Sequence, residues 1–209
     1  MRWLFALALM ATHAVANAQR WEFQVFLDDK PIGYHHYSLR PMGDAADSPS
    51  ELKSEARFDV KLLFINAYRY AHDATERWRG NCLAELAAHT DDNGTRIPVN
   101  AAQRDTRFNV ETAGKRESVD GCVMTFAYWN PEILTQTRLL NPQTGKLENV
   151  VIKSLGDDAI TVRGTTVLAK RYRIVGAKQP IDVWYGSDRN WLALQSTVDG
   201  GRRLRYQLK

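Results

Sequence analysis

Glu51-Leu52-Lys53-Ser54-Glu55-Ala56-Arg57-Phe58-Asp59-Val60-Lys61-Leu62-Leu63-Phe64-Ile65-Asn66-Ala67-Tyr68-Arg69-Tyr70-Ala71-His72-Asp73-Ala74-Thr75-Glu76-Arg77-Trp78-Arg79-Gly80 decides how this chain folds. Phe58, Val60, Leu62 and Phe64 recur at every second position, and Tyr68, Tyr70, His72, Ala74, Glu76 and Trp78 do so again after a turn near Asn66. Successive side chains of a strand point to opposite faces, whereas a helix needs apolar residues three and four apart. A helix over residues 56–70 fails that test, so the stretch predicts two long strands joined tightly.

The same rhythm extends in both directions. Upstream, residues 21–27 and 32–39 alternate around Asp28-Asp29-Lys30-Pro31 and predict a first hairpin, followed by a small, acidic loop over 42–50. Downstream, a strand over 81–90 runs into Asp91-Asp92-Asn93-Gly94, and Asn-Gly suits a type I′ hairpin turn because both central residues need positive φ. Strands are expected over 106–112 and 118–128, then near 147–154, 158–163, 166–175, 180–186, 191–198 and 202–208. Gly156-Asp157 is read as a break between two of them. Between these runs Asn130-Pro131-Glu132-Ile133-Leu134-Thr135-Gln136 offers a cap followed by a first-turn proline, hence one short helix near 131–136. The predicted class is mainly β: one large, curved antiparallel sheet, an incomplete barrel or a sandwich, with residues 122–145 lying across its open side.

The first residues carry an address. Arg2 precedes the apolar block 4–11, and Ala16-Asn17-Ala18 offers small residues for cleavage, so residues 1–18 read as a signal peptide cut after Ala18. The block is shorter than the roughly 18 apolar residues that span a bilayer. Residues 19–209 then form a single β domain, expected in the periplasm or secreted. Two cysteines remain, Cys82 and Cys122, and an even pair in an oxidising compartment is most simply one disulfide.

Charge is divided unevenly along the chain. Residues 151–209 hold 11 Lys and Arg against 5 Asp and Glu, while residues 19–150 hold 16 against 19. The basic third reads as the solvated face of a sheet or, more sharply, as a patch for a membrane surface or an acidic partner. Nucleic acid is not expected, because export removes the usual target and no nucleic-acid motif is present.

Catalytic chemistry finds little to stand on. His72-Asp73-x-x-Glu76 is the nearest approach to a metal or acid–base cluster, but on a strand only His72 and Glu76 share a face. His35 and His36 point to opposite faces for the same reason. A serine elbow, phosphate loop, dinucleotide fingerprint and calcium loop are missing, so no catalytic residue, metal or cofactor is assigned. The carboxylate doublets Asp28-Asp29, Asp91-Asp92 and Asp157-Asp158 sit beside turn residues, where Asp bonds its own backbone.

Aromatic surface remains. Its bland role is to fill the concave side of the sheet. Its sharper role is to line a cavity for a lipid or other apolar small molecule, with Tyr128, Trp129, Ile133, Leu134 and Trp184 as the lining residues. A carrier or binding protein is therefore the leading reading. An envelope structural or assembly factor comes next, and an enzyme built on His72, Asp73 or Glu76 comes third.

Residues 21–33, Phe64-Ile65-Asn66-Ala67-Tyr68-Arg69-Tyr70, Cys82, Thr90-Asp91-Asp92-Asn93-Gly94, residues 122–145, and Asp182-Val183-Trp184-Tyr185 with Trp191-Leu192-Ala193-Leu194 resemble a bacterial family of exported proteins of unknown function. The resemblance covers nearly the whole mature chain and implies no activity. The order of strands is more loosely similar to the half-barrel of periplasmic lipoprotein carriers, which implies an apolar ligand by fold analogy alone.

Overall fold

The computed structural model describes residues 18–45, 47–62, 65–176 and 178–209. The signal-peptide reading of residues 1–18 lies outside them except for Ala18, and so does Phe64 with the bend expected beside Asn66. The decisive stretch forms two strands, β3 (Ser50–Leu62) and β4 (Ile65–Arg79), paired antiparallel. Leu52, Ser54, Ala56 and Phe58 on one, and Tyr70, His72, Ala74, Glu76 and Trp78 on the other, are all buried. The alternation thus points one way along both strands, as a period of two requires.

Around this hairpin stand β1 (Gln19–Leu27), β2 (Lys30–Pro41), β5 (Cys82–Asp92), β6 (Thr95–Arg104), β7 (Arg107–Thr112) and β8 (Lys115–Asp120). The rest are β9 (Arg138–Leu140), β10 (Leu147–Asn149), β11 (Val151–Val162), β12 (Thr165–Val175), β13 (Ile181–Tyr185), β14 (Trp191–Thr197) and β15 (Arg203–Leu208). Thirteen of them make one sheet in the order β11-β12-β13-β14-β15-β1-β2-β3-β4-β5-β6-β7-β8. Every neighbouring pair is antiparallel, and the first and last strands meet where Phe23 of β1 lies opposite Leu208 of β15. β8 and β11 are the free edges, so among the described residues the sheet is not closed into a barrel.

The turn chemistry holds. Asn93 and Gly94 adopt φ of 52° and 93°, the geometry of a type I′ hairpin, and Asp91 Oδ1 accepts from the Gly94 N–H at 2.7 Å. The strand expected over 118–128 stops instead at Asp120. Gly121, at φ 86°, turns the chain off the sheet edge and back over the concave side. The break read at Gly156 is a β-bulge: pairing shifts between Ser154 and Gly156 while β11 continues to Val162. A glycine at φ 86° absorbs the extra residue without ending the strand. The short helix is a 3₁₀ helix, Pro131–Thr135, and Asn130 caps it by accepting from the Glu132 N–H at 3.1 Å.

Residues 122–150 are the plug of the curved sheet. Val123 accepts a backbone hydrogen bond from Leu83 of β5, and the Tyr185 hydroxyl of β13 donates to the carbonyl of Tyr128 at 2.8 Å. The segment therefore ties together strands far apart in the sheet. Val123, Met124, Ala127, Ile133, Leu139, Leu140 and Val150 enter one core with Phe23, Trp78, Phe108 and Trp191. Cys82, the first residue of β5, is bridged to Cys122 with Cα atoms 5.1 Å apart.

Candidate functional site

Pairing registers decide which polar side chains meet beneath the plug. His35 lies opposite Ala56, which lies opposite His72, which lies opposite Thr90, giving one row across β2, β3, β4 and β5. The next row on the same face is Tyr37, Ser54 and Ala74, and the one after it is Leu39, Leu52 and Glu76. Residues directly opposite share a face of the sheet. Ala56, Ser54 and Ala74 are small, so the middle of this face is recessed between histidines on one side and Glu76 on the other.

The recess is a cavity of about 300 Å³. Its floor is His35, Ser54, His72, Ala74 and Glu76; its roof is residues 126–129 and 141–143 of the plug; Ile181, Leu194, Leu204 and Tyr206 form the far wall. Exposed Gln143 and Lys178 also line it and mark its mouth. Two wider hollows, of about 520 and 710 Å³, lie on the outer face between solvated side chains such as Lys53, Glu55, Arg77 and Glu85. They are grooves over exposed polar groups and cover little of the core.

Each polar group on the cavity floor has a defined state. The His35 ring sits between the Ser54 hydroxyl at 2.7 Å and the hydroxyls of Tyr37 at 3.1 Å and Tyr206 at 3.3 Å. Burial pushes its pKa well below the ordinary histidine value, so it is a neutral imidazole. His72 Nδ1 pairs with Thr90 Oγ1 at 2.9 Å, and burial lowers its pKa to about 4. Glu76 Oε2 accepts from the Trp78 indole N–H at 2.9 Å and from the Thr125 hydroxyl at 3.3 Å. Burial outweighs these bonds and raises the Glu76 pKa to about 7. Burial likewise keeps the Tyr37 and Tyr128 hydroxyls protonated.

Of the residues expected to line a cavity, Tyr128 and Trp129 do. Trp129 packs edge-on against Trp78 with ring centroids 5.3 Å apart, and its indole N–H is buried with no hydrogen-bond partner among the described residues. Ile133 is fully buried in the core behind them, and Leu134 is half-buried against that core. Trp184 stands on the other face of β13 from Val183 and Tyr185. There its indole donates to Asp158 at 3.0 Å and the Arg171 guanidinium lies 5.0 Å from its ring centroid. Those three are not among the cavity's lining residues.

His35, Ser54 and Tyr206 are floor and wall residues that sequence reasoning did not gather. The only signal was the shared face of His72 and Glu76; nothing local says that β2 and β15 come beside them. Asp73 points to the other face, as expected, and pairs there with Arg57 at 2.8 Å. Among the described residues no group of three His, Cys, Asp or Glu could hold a metal ion. Much of the basic third is paired: Arg171 and Arg173 reach Asp182 at 2.5 and 2.6 Å, Arg202 reaches Asp28 at 3.0 Å, and Arg205 reaches Asp29 at 3.2 Å.

Comparison with known proteins agrees with this architecture. A family model described as a domain of unknown function, DUF6134, matches residues 23–209. The crystal structure of a β-barrel-like protein of domain of unknown function DUF1849 from Brucella abortus superposes with a TM-score of 0.65 over 94% of this chain and 98% of that one. The two share 11% sequence identity, so the likeness is one of fold. No curated protein matches the chain in sequence.

Proposed function

The chain belongs to the DUF6134 family, whose description assigns no activity, and from the geometry we propose that it is a binding protein or carrier for a small, largely apolar molecule in the cell envelope. One observation carries the reading: the plug covers the recessed middle of the sheet without filling it, and leaves a cavity of about 300 Å³. That volume is at the lower end of small-molecule sites, enough for one slender ligand. Phe126, Tyr128, Trp129, Ile181, Leu194 and Leu204 give it apolar and aromatic walls. The envelope location rests on the leader-like first residues and on a disulfide, which persists in oxidising compartments.

Titration with Nile red, a neutral apolar dye, tests the site. One dye per chain is expected, with a change in tryptophan emission from Trp129. Ala74→Leu, which places a larger side chain on the floor, should weaken binding at least tenfold while the circular dichroism stays that of a β protein. A wild-type protein that takes up no dye and carries no copurified small molecule in native mass spectrometry overturns the reading. For the compartment, fractionation with N-terminal sequencing is expected to give a periplasmic product that begins at Gln19.

A further inference from the structure

The structure assigns a ligand class to this cavity: we infer that it takes an uncharged amphiphile, an alkyl chain with a hydroxyl or amide end, and that Glu76 is the residue that rejects anionic ones. The inference rests on the cavity being a ligand site, as proposed above. It follows from which groups the floor holds and which it lacks.

An anionic head group, such as a carboxylate or a sulfate, needs a cation or several convergent N–H donors to replace its hydration. The floor has neither. His35 is committed to Ser54, Tyr37 and Tyr206, and Lys178, the one Lys or Arg among the lining residues, stands at the mouth. Glu76 is at the far end of the floor, beyond Ala74. It lies four positions along the strand from His72, about 13 Å. Around Glu76 stand Trp78, Thr125 and the opposed Leu52 and Leu86, none of which is a cation. An anion entering the cavity would face this carboxyl with nothing to offset the repulsion.

A hydroxyl or amide end meets the opposite situation. It can donate or accept: Glu76 accepts when ionised and can also donate when protonated, and the neutral His72 ring, whose Nδ1 pairs with Thr90, keeps Nε2 as a second polar atom. The apolar wall opposite takes the alkyl chain.

pH gives a second handle. Glu76 titrates near pH 7, whereas His72, at about 4, stays neutral above pH 5, and burial holds His35 well below the ordinary histidine value. Rejection of anions should therefore relax as pH falls through 7.

The test compares probes with the same alkyl chain: 1-decanol and decane, each titrated by tryptophan fluorescence below its solubility limit, and sodium decyl sulfate, whose charge is constant from pH 5 to 8, below its critical micelle concentration. At pH 8, 1-decanol is expected to bind at least tenfold more tightly than decyl sulfate. The ratio should shrink severalfold at pH 5 in the wild type, and in Glu76→Gln at both pH values. The glutamine amide keeps an oxygen that can accept from the Trp78 indole, and circular dichroism checks that this variant folds. Decyl sulfate bound as tightly as decanol by the wild type at pH 8, or a ratio unmoved both by Glu76→Gln and by pH, overturns the selectivity while leaving the binding site standing. Failure of all three probes, decane included, overturns the binding reading itself.

Discussion

Removing the Cys82–Cys122 bridge is expected to lower the free energy of unfolding by about 4 kcal/mol, the chain-entropy value for a closed loop of this size. The two cysteines are 40 residues apart in sequence, and that loop contains β5, β6, β7 and β8. The cost has a local component as well. Cys122 is the root of the plug, and the bridge holds it beside the strand whose Leu83 N–H bonds Val123. Without the bridge, that hydrogen bond and the burial of Val123 and Met124 are what remains to hold the root of the plug. The measurement is urea denaturation of Cys82→Ser/Cys122→Ser beside the oxidised protein. At a typical slope of about 2 kcal/mol per molar urea the midpoint should fall by about 2 M. Hydrogen exchange over residues 123–130 should quicken before the rest of the sheet is affected. A midpoint unchanged within 0.3 M, a margin of about 0.6 kcal/mol at that slope, would show that the plug and strands hold themselves without the crosslink.

The second large effect depends on pH. Glu76 has a raised pKa in the folded protein, about 7 against an ordinary 4.5, because burial penalises its ionised form. The folded state therefore holds the proton over a range where the unfolded state has lost it. Stability from this group is complete below pH 4.5, declines as pH rises toward 7, and is level above that. The shift corresponds to about 3 kcal/mol. Glu76→Gln removes it, so the variant should gain about that much relative to wild type between pH 4.5 and pH 8. His72 works in the other direction: its lowered pKa means stability is full above pH 6.5 and declines as pH falls toward 4. That contribution is common to wild type and variant and cancels in their difference. Urea midpoints at the two pH values measure it. A difference that does not change with pH would mean that Glu76 is not desolvated as its burial implies.

Both expectations use residues whose importance the sequence shows only in part. Pairing of Cys82 with Cys122 was readable because the sequence has no other cysteine. Glu76 was readable as sharing a face with His72, but not as the end of a cavity floor. Its environment comes from Trp78 on its own strand, Thr125 on the plug and the recess left by Ala74 and Ser54. Trp184 shows the limit from the other side. Its composition and position suit a cavity, yet the register of β13 turns it to the outer face, where Arg171 and Asp158 hold it.

Alternation of apolar residues along 51–80, the Asn93-Gly94 turn and the Asn130 cap are local matters. They were settled within a few residues of chain, by where side chains point and which residues tolerate positive φ. The sequence by itself determined a mainly β chain with these faces, these turns and one crosslink. Residues 122–145 were also legible as a cover over the open side; tertiary structure alone decided that β15 closes against β1, that His35, His72 and Glu76 fall on one recessed floor, and that the chain leaves the sheet already at Gly121. Those are contacts between residues up to 185 positions apart, as Phe23 and Leu208 are. Strand periodicity gives each strand a buried side but no partner; the partner follows from which arrangement buries all of those sides together, a property of the whole sheet.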